Sequence, residues 1–138
     1  MKTIALVICL VVGVTDGDTL TARCDDSTIK VRLSDIDATE KSQAFGQKSK
    51  QSLSNLCYLK KASLQVQSKD RYGRSVARVT CNGVDANAEQ VKTGMAWVYD
   101  KYVTDHSLYA LQDRARSKRL GVWSEHSPVP PWEYRKKK

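Results

Sequence analysis

The sequence predicts a small α+β barrel, and three observations carry that expectation. Five strand-like runs rich in Val, Ile and Leu are interrupted by one amphipathic stretch and followed by two more. Turn signals separate the strands, above all Asp16-Gly17 and "KDRYGR", residues 69–74. A chain of 138 residues that is 41% hydrophobic can bury one core, so residues 1–138 are read as a single domain.

The elements follow in order. Ile4–Val14, Leu20–Cys24 and Ile29–Ile36 read as a three-stranded meander. Met1-Lys2 and the apolar run behind it resemble the start of an export signal, too short to span a bilayer as a helix. The run passes straight into Asp16-Gly17 with no spacer and no small-residue cleavage site. A buried strand is therefore preferred, and a truncated or uncleaved export signal comes second. Gly17 is expected to supply the positive φ of a primed hairpin turn. Helical spacing covers Gln43–Leu56, with Phe45, Leu53 and Leu56 on or near one stripe. Ala62–Gln67 and Ser75–Thr80 form a hairpin around "KDRYGR". Helices are predicted over Asp85–Thr93 and Ser107–Lys118, with Gly121 where a terminating glycine belongs. Residues 125–138 hold all three prolines and are read as an extended basic tail.

Charge points to a partner. Lys and Arg number 23 against 15 Asp and Glu, a net +8 that suits a polyanion such as nucleic acid or an anionic surface. A merely soluble basic protein is the plain alternative. The terminal Arg135-Lys136-Lys137-Lys138 is expected to add non-specific affinity without touching the chemistry.

Three stretches concentrate reactive side chains. The first is "DGDT", residues 16–19, which carries two acids where a turn needs one. The second is "VRLSDIDATE", residues 31–40, with Arg32, Asp35, Asp37 and Glu40 around a strand end. The third is "DRYGR", residues 70–74, with Arg71, Tyr72 and Arg74. Each alone is ordinary, since charges at strand ends are usually solvated and Tyr-Gly is a common turn. Together they offer hard oxygen ligands, a carboxylate base and guanidinium groups, which phosphodiester hydrolysis can use.

In that order and approximate spacing, with the later "GVDANAEQVKTGMAWVY" (residues 83–99), these motifs resemble the staphylococcal-nuclease-like, or thermonuclease, family. The resemblance runs from about Val12 to Trp123, and "PPWEYR" resembles exported or plasmid-borne bacterial members. It implies a five-stranded OB-fold β-barrel with three helices. It also implies a calcium-dependent endonuclease of the micrococcal type, acting on DNA and RNA with little sequence specificity and leaving 3′-phosphate ends. On the matching positions Asp18, Asp37 and the Ala38 carbonyl are metal ligands for Ca²⁺, with Asp16 tuning the site from beside it. Oxygen ligands without a Cys or His cluster suit calcium rather than zinc. Glu40 matches the general base, and Arg32 and Arg74 match the arginines that hold the phosphate. Arg71, Tyr72 and Tyr102 are assigned to substrate binding. The rival reading is a non-catalytic OB-fold module that binds nucleic acid.

Two positions depart from the family pattern. Thr39 replaces the usual Pro before the glutamate and loosens the loop that holds Glu40, and Asp100 stands where a tyrosine is common. Trp97, Trp123 and Trp132 are assigned to packing rather than base stacking. Strand alternation puts Arg32 and Asp37 on opposite faces, so the scheme requires a bend near residues 36–39. Asp35 is an added acid expected to influence the metal preference. No stable protein partner is implied, and the chain is expected to act as a monomer.

Four cysteines complete the reading. Cys57 and Cys81 come level when the intervening hairpin folds, so a disulfide is expected if the protein is exported. Cys9 and Cys24 flank the Asp16–Asp18 turn almost symmetrically and form a second candidate pair. The alternative is four reduced thiols in a cytoplasmic protein. A secreted or periplasmic location is favoured.

Overall fold

The computed structural model describes residues 5–137. Met1 to Ile4, which hold the charged start and first residue of the expected strand, and Lys138 of the basic tail lie outside the described residues. The strands are β1 (Ala5–Asp16), β2 (Thr19–Cys24), β3 (Ser27–Leu33), β4 (Ile36–Ala38), and then, after helix α1 (Gly46–Cys57), β5 (Lys61–Lys69) and β6 (Ser75–Cys81). A two-residue β7 (Val84–Asp85) leads into α2 (Ala86–Lys92), followed by β8 (Ala96–Val98), α3 (Leu108–Ser117), a 3₁₀ turn (Gly121–Ser124) and α4 (Pro131–Lys136).

Antiparallel pairs run β3-β2-β1-β5-β6, and a parallel pairing of β3 with β6 closes the ring into a five-stranded OB-fold barrel. β1 is long enough to serve two neighbours. Ala5–Leu10 pair with β5, Leu10–Asp16 pair with β2, and the register shifts between Val11 and Gly13 as the strand turns the corner. Alternation then sends Val11, Leu20, Ala22, Val31, Leu33, Leu64 and Val79 into the barrel, where Leu53 of α1 and Val91 of α2 join the same core. A smaller core of Trp97, Ala115, Val122 and Trp123 lies beside it, with Phe45 and Trp132 packed on it.

Both disulfides are present. Cys9 and Cys24 face each other across β1 and β2 with Cα atoms 4.5 Å apart, and Cys57 at the end of α1 joins Cys81 at the end of β6 across 5.2 Å.

Several expectations need correction. The tail is not extended throughout, because Pro131 starts α4, the fixed φ of proline suiting a first helical turn. That helix makes four among the described residues rather than three. The first helix begins at Gly46 instead of Gln43, since Phe45 takes a left-handed backbone (φ 67°). Gly17 is absent from the residues with positive φ, so the hairpin turn does not explain it. Close packing does: a Cβ there would sit 1.7 Å from Ser49 Oγ and 2.8 Å from Ala38 Cβ. The bend after β3 also comes earlier than required, at Asp35 (φ 70°).

Candidate active site

The turn between β1 and β2 presents Asp18 inward, and the break after β3 lets β4 bring Asp37 beside it. Both side chains are buried. The Ala38 amide donates to Asp18 Oδ2 at 2.7 Å, which ties the hairpin turn to β4. One nitrogen of Arg32 lies 3.4 Å from Asp18 Oδ2 and 3.3 Å from Asp37 Oδ1, so the two carboxylates converge on a single guanidinium. The other terminal nitrogen of Arg32 donates to the Leu33 and Ile36 carbonyls at 2.7 and 2.9 Å. The bend at Asp35 is what returns Asp37 to the Arg32 side. Glu40 follows, half-buried, on the loop that leads to α1.

Behind the turn, Gln90 of α2 donates to the Gly17 and Ser49 carbonyls at 2.8 and 3.1 Å and accepts from Ser52 Oγ at 2.6 Å. A fully buried amide with its polar atoms satisfied holds the acid-bearing turn against α1.

Electrostatics in this corner are strained toward positive ligands. Burial pushes the Asp37 carboxyl up to about 6 despite hydrogen bonds from Arg135, and the charge of Asp18 adds to the rise. Asp16 is pushed up to about 7, by burial first and by the Asp18 charge second. Burial opposes ionisation of Asp18 as well, but the Arg32 guanidinium holds its carboxyl below the usual range.

The donors suit a hard cation. Asp18 and Asp37 offer oxygen only, Ala38 adds a backbone carbonyl, and the buried Thr39 Oγ1 next to it has no hydrogen-bond partner. Among the described residues no three His, Cys, Asp or Glu side chains meet at metal-ligand spacing. A cation here would complete its shell with backbone oxygen and water, as calcium does and structural zinc does not.

Residues 30–125 match the family described as Staphylococcal nuclease homologue. The chain belongs to that family. An "Uncharacterized endonuclease" of Haemophilus influenzae is 46% identical over 129 residues, covering 93% of this chain and 72% of that protein. A protein of the same description from Escherichia coli O157:H7 is 40% identical, covering 93% and 84%. A "Micrococcal nuclease" of Shigella flexneri is 37% identical over 137 residues, covering 91% and 79%.

In this nuclease homologue Arg74, Arg71 and Tyr72 lie on the β5–β6 turn, and the parallel pairing that follows it sets Ser75 beside Val31 and Val76 beside Arg32. Asp70 builds that turn by accepting the Tyr72 and Arg74 amides at 3.0 and 2.9 Å and the Arg74 Nε at 2.7 Å. Among the described residues the two terminal nitrogens of Arg74 have no hydrogen-bond partner, and its side chain is 28% exposed. Arg71 and Arg74 flank the exposed Tyr72 ring at 5.0 and 5.5 Å. Tyr102 is also exposed and meets Tyr99 edge-on at 4.9 Å.

Asp35 is engaged elsewhere than with Asp18 and Asp37. It accepts from the Thr104 and Asp105 amides at 3.0 and 2.7 Å and so anchors the loop before α3. Trp97 and Trp123 are buried packing residues as expected. Trp132 packs on their cluster and also stacks on Tyr99, with centroids 5.3 Å apart and planes 5° from parallel.

The residue that sequence reasoning missed is Arg135. Its Nη2 lies 2.7 Å from Asp37 Oδ2 and 3.3 Å from Tyr99 Oη, and its Nη1 bridges Asp37 Oδ1 at 3.1 Å and Glu40 Oε1 at 2.8 Å. Arg135 of the basic end therefore lies against two of the candidate site residues, Asp37 and Glu40, rather than clear of them. The one signal for it was the Pro-Pro pair opening an amphipathic "WEYR". An open cleft of about 600 Å³, lined by Tyr99, Asp100, Lys101, Trp132 and Lys136, adjoins Arg135.

Proposed function

We propose that this nuclease homologue is a calcium-dependent endonuclease that hydrolyses DNA and RNA with little sequence preference and leaves 3′-phosphate ends. One observation carries the reading: two buried carboxylates converge on Arg32, and Glu40 is joined to the same cluster through Arg135. Binding of a nucleic acid alone has no use for a buried acidic pair beside a carboxylate base.

The residues divide the work. Arg32 sets the two carboxylates and contributes positive charge from the inner side. Arg74 presents a free fork to the phosphate oxygens, where negative charge grows during in-line attack. Glu40 Oε1 is engaged by Arg135, and among the described residues Oε2 accepts no hydrogen bond, so Oε2 takes the proton of the attacking water. The water oxygen bonds to phosphorus as the bond to the 5′ oxygen breaks, and that oxygen leaves with a proton from solvent. Held by Asp18, Asp37 and the Ala38 carbonyl, calcium would add positive charge against the phosphate. Tyr72 and Tyr102 are exposed aromatic surfaces suited to unpaired bases.

A second part concerns location. Two disulfides with no free cysteine among the described residues support action in an oxidising compartment outside the cytoplasm. No described helix is long and apolar enough to cross a membrane.

The test is cleavage of single-stranded and duplex DNA and of RNA with calcium, with magnesium and with chelator. Calcium should support cleavage, magnesium should do so poorly, and chelator should stop it. Glu40→Gln should lower the rate by about 10²–10⁴ while nucleic-acid binding survives. Protein that binds DNA but leaves it intact in calcium would decide for the binding-module reading.

A further inference from the structure

The loop carrying Glu40 has neither helix nor strand between Thr39 and Phe45. Thr39 leaves the backbone before Glu40 unrestrained by a proline ring, and Phe45 at the far end is held with φ 67°. Among the described residues the backbone bonds inside the loop are short-range, from the Gln43 amide to the Glu40 carbonyl at 2.9 Å, from the Glu40 amide to Gln43 Oε1 at 3.1 Å and from the Gly46 amide to the Gln43 carbonyl at 3.0 Å.

The C-terminal segment grips this loop at three points. Gln43 Nε2 donates to the Val129 carbonyl at 2.7 Å, Ser42 Oγ and Tyr134 Oη are 2.8 Å apart, and Arg135 bridges Glu40 to Asp37. The grip is anchored independently of those bonds. Trp132 meets Trp97 edge-on at 5.8 Å and stacks on Tyr99, and Phe45 from the loop's end packs on the same small core. A helix of six residues could not stay folded in water by itself, so this packing is what fixes it.

We propose that the segment Val129–Arg135 is a built-in splint for the catalytic loop, and that Arg135 is a positioning residue that sets the orientation of Glu40 against Asp37. Pairing through Oε1 leaves Oε2 as the oxygen that meets the water. The bidentate contact with buried Asp37 fixes the guanidinium itself, which a single hydrogen bond would not. The inference rests on Glu40 being the base, but the immobilisation of the loop can be measured without any cleavage.

The decisive experiment is amide hydrogen exchange of residues 40–46 in the full chain and in Arg135→Gln, with cleavage kinetics in parallel. Arg135→Gln should lose protection across the loop while protection in β1 and β5 stays as in the parent. It should also lose kcat by about 10–10²-fold with KM nearly unchanged, because a displaced base costs turnover rather than binding. Arg135→Lys should recover part of kcat, and Trp132→Ala should reproduce the loop's loss of protection. Unchanged protection in Arg135→Gln overturns the splint, and so does a kcat that is unchanged or raised, which would mark Arg135 as a plug. If the parent does not cleave but Arg135→Gln still frees the loop, the splint stands and the nuclease reading falls.

Discussion

At the scale of single residues, two glycines matter for space rather than for backbone freedom. Gly17 lets the acid-bearing turn lie against Ser49 and Ala38. Gly46 lies under the catalytic loop, and a Cβ on it would come 2.0 Å from the Glu40 carbonyl oxygen. That neighbour is backbone, so it cannot swing aside as a side chain would. Gly46→Ala should therefore push the Glu40 peptide out of place. The expected result is a kcat lower by about 10²-fold and a stability loss of about 1–3 kcal/mol, from overpacking. Steady-state kinetics with a denaturant titration would check both, and an unchanged kcat would show that Glu40 tolerates the shift. Asp35 shows the opposite case, an acid whose motif suggests chemistry and whose bonds are structural. Its left-handed backbone turns β3 into β4, while its carboxylate holds residues 104 and 105.

At the scale of elements, the barrel strands are stapled in two places. The Cys9–Cys24 bridge spans 15 residues within one hairpin, and the Cys57–Cys81 bridge spans 24 and ties α1 to β6. In the chain-entropy account the longer loop contributes about 3.5 kcal/mol and the shorter about 3 kcal/mol. Replacing Cys57 and Cys81 together by Ala should lower the urea midpoint more than replacing Cys9 and Cys24. A reversed order would mean that native-state contacts, and not loop length, set the two contributions. Helix α4 belongs to this scale too. Its sequence supplies a proline start and one aromatic anchor, and its place comes from the Trp97–Trp123 cluster on which Trp132 packs.

Across the whole molecule, ion pairs join separate elements of the fold. Arg78 of β6 binds both Asp85 and Asp105, at 2.8 and 2.9 Å. The Ser107 hydroxyl first and Arg78 second hold the Asp105 carboxyl below its usual range. A carboxyl depressed in the folded state stabilises above its unfolded pKa near ~4, and that contribution is lost as pH falls through the lower folded value. Asp105→Asn should therefore lower Tm clearly at about pH 6 and hardly at all near pH 2. An equal difference at both pH values would show that the carboxylate charge plays no part. Much of Asp105 is exposed, so the effect should also shrink in high salt.

What the sequence determined by itself was whatever depends on near neighbours. Alternating apolar residues set the strands, helical spacing set α1 to α3, and the doubled acid at Asp16 and Asp18 marked a special turn. Cysteine positions suggested both pairs, since each is brought level by a hairpin or by the hairpin beyond α1, but left four reduced thiols open. The short β4 and β8 escaped, since three residues carry too little periodicity to be read. The family resemblance had already named Asp18 and Asp37 together, and the tertiary structure showed how they come to face one another. Asp37 reaches Asp18 because a residue in left-handed conformation ends β3, and nothing in the local pattern separates Asp35, which turns away, from Asp37, which turns in. Only the packing of Trp132 on the small Trp97–Trp123 core brings Arg135 to Glu40, 95 residues earlier, and to Asp37, 98 residues earlier. Contacts at that range are made by strand order and packing, which a local pattern does not encode.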